Sequence, residues 1–435
     1  MNIFCAASLC AVAATALVGC KSPAPSLERP WTAGERAILA SLTPLRAPPA
    51  SPGNRVADDP VAVNLGHVLF FDTGLSANGQ VSCATCHDPQ KWFTDGKPLA
   101  EGVDKAGRNA PTLLGAQWLP YLFHDGRKDS LWAQALGPLE ADVEHGFDRL
   151  AVAHRIAKHY RQSYEQLFGP LPPLEDTTRF PRHARPVPFQ STHPDHQAWL
   201  GMTDADRTAV NAVFANVGKV IEAYERKLLP REAPFDRFAQ KLLRSDPTAA
   251  QEISRAAQHG LREFIGRAQC VNCHNGPLFT DRGFHNLGLP DLPGQTGLDV
   301  GRALGAQSVK ADDFRCGSVF SDTQTCQELR FLNPKFEDFM GAWKTPTLRN
   351  VAKTAPYMHT GQFATLGDVL TFYRTLPGNA RVGHRELVLT LLDPDVNQAE
   401  LLAFLETLTG PLPEAEWLHP PQPIPPPDDV TGGAR

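Results

Sequence analysis

Cys83-Ala84-Thr85-Cys86-His87 and Cys270-Val271-Asn272-Cys273-His274 repeat one pattern: two thiols separated by two residues, then at once an imidazole. This C-x-x-C-H spacing is the attachment signature of c-type haem. The two-residue spacer puts both sulfurs on one porphyrin edge, where each adds to a vinyl group. The adjoining histidine then meets the iron as an axial ligand. Zinc is the competing use of such pairs, but it needs four ligands gathered in one place, and these pairs lie in separate halves of the chain. The pattern therefore predicts two covalent haem c groups, held by Cys83, Cys86, Cys270 and Cys273, with His87 and His274 on the irons.

The other cysteines agree with an exported protein. Residues 1–20 form a short apolar run ending Leu17-Val18-Gly19-Cys20, the pattern of a signal peptide with a lipobox. No Lys or Arg precedes the run, and a plain cleaved signal peptide is the alternative. Of nine cysteines, Cys5 and Cys10 leave with the signal, Cys20 takes lipid and four hold haem. Only Cys316 and Cys326 remain, and an oxidising compartment favours their disulfide. The expectation is a periplasmic protein that touches a membrane only through a lipid anchor. A net charge of −5 gives no sign of a nucleic-acid partner.

The elements that must position these groups read as all-α, in two cytochrome c-like haem domains facing a shared interface, with long irregular loops. Residues 21–55 read as a tether with one short helix near 32–42, 56–245 as the first domain, 246–410 as the second, and 411–435 as a disordered Pro-rich tail. Helical spacing marks 130–142, 148–168, 253–265, 365–373 and 398–408. Thr203 and Asp206 suggest a capping box. It opens a helix with Val210, Val213, Phe214, Val217, Val220, Ile221 and Tyr224 on one face. The stretch 170–198, rich in Pro, reads as a surface loop.

Further along, Phe93-Thr94-Asp95-Gly96, Arg108–Thr112, His124-Asp125-Gly126-Arg127, Phe284-His285-Asn286, Pro346–Asn350 and Ala355–His359 follow in order. With the two haem segments, this series resembles the bacterial di-haem cytochrome c peroxidases over residues 56–410, and within them the MauG and MbnH type. The resemblance implies a peroxide-dependent oxidoreductase with two haems and an inter-domain calcium ion. Asn109, Thr354 and Pro356 match the calcium ligands, and hard oxygen donors suit that ion.

No His or Met lies between His87 and His124, whereas an electron-carrying haem usually has ligands on both faces. The first haem should therefore be open to hydrogen peroxide. Splitting the O–O bond needs a proton moved between its oxygens. The family's offsets place an acid/base at Glu144 and a polar partner at Gln134. Where the family usually has a bridging Trp, this chain has His124; Trp118 or Trp132 are alternative relays. The family's sixth ligand to the second haem falls on Tyr373, with Met358 as the rival. Arg127 and Arg349 are candidates for haem propionates, and His285 and His359 for structural or propionate-side roles. Electrons would come from a small periplasmic redox protein or from an aromatic residue of a partner, including a copper-binding MbnP-like protein. A non-enzymatic di-haem electron carrier is the alternative function.

Overall fold

A computed structural model of the chain describes residues 29–187, 189–290, 297–333, 335–391 and 393–428. The signal segment, Cys20, the start of the tether and the last residues of the tail lie outside them. Among the described residues no helix is long and apolar enough to cross a membrane. The helices are α1 (Ala33–Leu42), α2 (Pro60–Phe70), α3 (Cys83–Cys86), α4 (Leu131–Glu140), α5 (Arg149–Arg155), α6 (Arg161–Phe168) and α7 (Pro194–Gly201). They continue with α8 (Asp204–Glu225), α9 (Pro234–Leu243), α10 (Arg255–Ile265), α11 (Arg302–Ala311), α12 (Gln327–Arg330), α13 (Leu366–Thr375) and α14 (Gln398–Glu406). Two short strands, β1 (Phe284–His285) and β2 (Trp343–Lys344), pair antiparallel.

Local signals set most of these starts. Asp59 caps α2 by accepting from the Val61 and Ala62 amides, with Pro60 in the first turn. Thr365 and Asp368 cap α13 reciprocally. At α8 only half of the expected box forms. Thr203 accepts from the Asp206 amide, while the Asp206 carboxylate turns to Arg179. All seven stripe residues of α8 are buried, each burial worth about 1.5–3 kcal/mol.

Among the described residues two large hydrophobic cores form, with two smaller clusters beside them. In the first, α2 crosses α8 at Gly66, where a Cβ would stand 1.8 Å from the Val220 carbonyl oxygen. In the second, α10 crosses α14 at Gly260, where a Cβ would stand 1.8 Å from the Glu400 carbonyl oxygen. In the first core α4 also crosses α8 at Gly218, where a Cβ would stand 2.2 Å from the Trp132 carbonyl oxygen, so both halves rest on close helix crossings that only glycine permits.

The expected boundaries need four corrections. The helix of the "tether" is α1, and its Leu39 and Leu42 are fully buried in the second core. That core also takes Phe235 and Phe238 of α9, so the second unit begins before residue 246. The Pro-rich loop 170–198 buries Leu174 and Phe180 in the first core and ends in α7. The tail packs on the first domain as far as residue 428. Pro425 and Pro426 carbonyls accept from Arg155 at 2.9 and 3.1 Å, and Asp428 bonds His159 at 2.9 Å. Arg155 is itself buried against Asp72, at 2.7 Å from both of its oxygens. The tail therefore satisfies donors that this ion pair leaves over. Cys316 and Cys326 are bonded to each other, in a segment whose Phe314 packs on the first core.

Candidate active site

Each C-x-x-C-H segment is a single tight turn. The His87 amide donates to the Cys83 carbonyl at 2.9 Å, and the His274 amide to the Cys270 carbonyl at 2.8 Å. This closes both thiols and the imidazole onto one another. His87 Nδ1 lies 3.2 Å from the Phe93 carbonyl oxygen and His274 Nδ1 3.0 Å from that of Phe279. Phe93 and Phe279 both have left-handed backbone, with φ of 60° and 54°, which turns those carbonyls back onto the rings. A proton held on Nδ1 leaves Nε2 for a metal. Burial lowers both imidazole pKa values and keeps the rings neutral.

The four thiols are unpaired. Burial pushes Cys86 up to about 11 and Cys270 up to about 12. Free thiols beside an imidazole held through its Nδ1 are the donor set that covalent haem requires, so both segments fit a haem c. Cys273, Asp281 and His285 also lie within ligand distance of one another. Haem attachment claims that sulfur, however, and both ring nitrogens of His285 face carboxylates, Asp281 at 2.7 Å and Glu386 at 3.0 Å.

One cavity of about 600 Å³ reaches both histidines. On the His87 side it is lined by Gln134 from α4 and by Glu144. Beyond Glu140 the chain makes a tight turn, with the Glu144 amide bonded to the Ala141 carbonyl at 2.9 Å. Two loops grip this turn. The Val103 amide donates to the Glu144 carbonyl at 2.7 Å, and the Ala77 amide to that of His145 at 2.9 Å. His145, unnoticed in the sequence, is buried and bonds the Leu75 carbonyl oxygen through Nδ1 at 2.8 Å. The Glu144 backbone is thus fixed while its carboxylate faces the cavity. Burial raises its pKa, and the nearby Arg127 guanidinium opposes that shift. Arg127 also lines the cavity, pairs with Asp125 at 3.1 Å and lies over the Phe123 ring.

His124 lines the cavity where the two halves meet. Its Nε2 lies 3.0 Å from the Asn109 carbonyl oxygen, and its own carbonyl accepts from the Lys344 amide at 2.8 Å. Burial, with Lys344 and His359 beside it, lowers its pKa to about 3. Trp132 lies in the first core against Phe314, away from the cavity, and Trp118 is also absent from the lining. The indole on the cavity is Trp343, stacked on His359 at 3.8 Å with Arg108 over its ring. Sequence reasoning missed it because a two-residue strand gives no periodicity. Lys344 beside it is half-buried, and desolvation of its amine lowers the pKa to about 8.

On the His274 side the cavity is lined by Tyr373 from α13 and by Met358. Burial raises the Tyr373 phenol, with the Cys270 and Cys273 thiols adding to the shift. Asn109, Thr354 and Pro356 line the same cavity. Arg349 departs from its expected role. It is buried, binds both Asp236 oxygens at 2.5 and 2.9 Å, and donates to the Pro277 carbonyl at 2.8 Å. All its strong partners are internal, so it ties α9 to the second haem segment instead of meeting a propionate.

Residues 60–243 match the family model described as di-haem cytochrome c peroxidase. The cytochrome-c peroxidase IdrP2 of Pseudomonas sp. (strain SCT) is 32% identical over 375 residues, 86% of each chain. The methylamine utilization protein MauG of Methylorubrum extorquens is 30% identical over 354 residues, covering 80% of this chain and 78% of that one. A solved structure of a MauG-like protein associated with microbial copper homeostasis matches with a TM-score of 0.58 at 24% identity. That match covers 87% of this chain and 98% of the other, and shows the common fold. Two haem-binding turns opening on one cavity, in a chain that aligns with these peroxidases over most of its length, make it a member of the di-haem cytochrome c peroxidase family, a peroxide-dependent oxidoreductase.

Proposed function

We propose that hydrogen peroxide reacts on the His87 side and that electrons reach it by way of the His274 side. The observation that carries this is the asymmetry of one cavity, with a carboxylate facing it at one end and a phenol at the other. The haem at His87 supplies the iron that binds and reduces peroxide. Glu144 takes the proton from the oxygen nearer the iron and delivers it to the farther oxygen, which leaves as water. Gln134 orients peroxide by hydrogen bonding, and Arg127 stabilises the ionised carboxylate. Tyr373 would hold the second haem's iron through its phenol oxygen, and a ferric iron there would favour the phenolate form. Phenolate favours ferric iron, so the second site accepts loss of an electron readily. This supports an aromatic residue of a partner protein as the electron source, as in the MauG type. The copper-homeostasis association of one structural relative makes a copper-binding partner of the MbnP kind the first to test.

The deciding measurement is an electron paramagnetic resonance spectrum of the oxidised holoprotein. A high-spin signal beside a low-spin one supports the reading; two low-spin signals overturn it. We also propose a calcium ion at Asn109, Thr354 and Pro356, so that EGTA lowers the melting temperature and added Ca²⁺ restores it. Cys20 would carry the anchor to a periplasmic membrane face, and Cys20→Ala should move the protein from the membrane to the soluble fraction.

A further inference from the structure

A second cavity, about 670 Å³, lies between α2 and the docked tail. α2 lines it with Val63, Asn64 and His67, and the tail with Trp417 and His419. His67 is 3% exposed, yet its Nε2 has no hydrogen-bond partner. Burial lowers its pKa to about 4 against the opposing pull of the His419 backbone, so the ring is neutral at pH 7. The imidazole stacks on Tyr224 at 4.4 Å and lies 5.5 Å from the Trp417 ring. Trp417 and Tyr224 are 6.3 Å apart, and the Tyr224 hydroxyl donates to the Trp417 carbonyl at 2.6 Å. Tyr224 belongs to the cluster that packs against Cys83, the thiol at the first haem's edge. Two oxidisable rings therefore connect this cavity with that edge.

An unpaired buried nitrogen asks for a hydroxyl, and the aromatic wall asks for a ring. Asp58, Glu416 and Lys227 on the lining give it charges of both signs, which suits a neutral guest. We propose that this cavity binds a small phenol and passes its electron through Trp417 and Tyr224 to the first haem. The proposal rests on peroxide reacting at the His87 side. One O–H bond breaks per phenol. Its electron goes to the peroxide-oxidised haem, and its proton goes to His67 Nε2 and on to water. Two phenols supply the two electrons and two protons that turn one hydrogen peroxide into two waters, leaving two phenoxyl radicals.

The test uses the holoprotein and 4-methoxyphenol. Saturation-transfer NMR without peroxide should show transfer to the phenol ring protons. It should be lost in Asn64→Trp, which fills the cavity from an exposed position. After peroxide addition, 4-methoxyphenol should reduce the protein at a saturating rate, slowed about tenfold or more in Trp417→Phe and in Asn64→Trp. Absent transfer in the wild type, transfer that survives Asn64→Trp, or a Trp417→Phe rate equal to the wild type overturns the proposal. Failure of peroxide alone to change the haem absorption would instead sink the first-haem reading, which the NMR contact does not depend on.

Discussion

The two haem segments sit in one frame used twice. Beside each histidine a threonine hydroxyl holds a backbone carbonyl at 2.6 Å, Thr112 on Trp92 and Thr347 on Leu278. Farther on, Phe123 and Met358 both take left-handed backbone, with φ of 65° and 72°. Each is followed by a histidine and then by a helix capped by a hydroxyl, Ser130 for α4 and Thr365 for α13. Counted along this frame, Tyr373 on α13 stands where α4 has Pro138, and both line the cavity. Proline has no donor atom to offer a metal. The first half therefore leaves that position open and brings Glu144 in on the turn beyond the helix. The shared frame surrounds both C-x-x-C-H turns; one position in the helix and one turn after it are where the two halves differ.

Breaking the Glu144 side should have the largest effect. Glu144→Gln is expected to slow the peroxide reaction by about 10²-fold or more, read by stopped-flow absorption. An unchanged rate removes Glu144 from the role. The same variant sharpens the pH dependence. A carboxylate acting as base works when ionised, and burial raises its pKa. The wild-type rate should therefore fall as pH drops through a value above the ordinary carboxylate range, and Glu144→Gln should lose that inflection.

Making the second half resemble the first comes next. Tyr373→Phe removes the proposed ligand oxygen while keeping the ring, and the low-spin resonance of the oxidised holoprotein should become high-spin. If the signal stays low-spin, Tyr373 is not the ligand, and loss of that signal in Met358→Leu would transfer the role there. The smallest change is expected from Gln134→Leu. Loss of one neutral hydrogen bond is worth about 1 kcal/mol, or about fivefold in rate. A loss as large as that of Glu144→Gln would make Gln134 more than a positioning residue.

Much of the site was legible because its signals are local. The haem pattern needs only five residues, and helix starts such as Thr365 and Asp59 carry their own caps. Glu144 and Tyr373 were found by a resemblance in spacing, not by their own surroundings. The tail was misread because its prolines give no period, yet Pro425, Pro426 and Asp428 supply acceptors to Arg155 and its neighbours. Arg349 was misread for the converse reason. An arginine in a loop motif looks exposed until its distant partner Asp236 is known.

The sequence by itself determined two C-x-x-C-H turns for a di-haem protein, the α8 core stripe and the pairing of Cys316 with Cys326. Each follows from residue spacing or from a count. Only the tertiary structure decided that both histidines open on one cavity, that Trp343 and Lys344 stand on its wall, and that α1 completes the second core. It also decided that Trp417 closes a second cavity over His67. Those facts depend on contacts between segments far apart along the chain, where burial and unpaired hydrogen-bonding groups choose partners that no local pattern specifies.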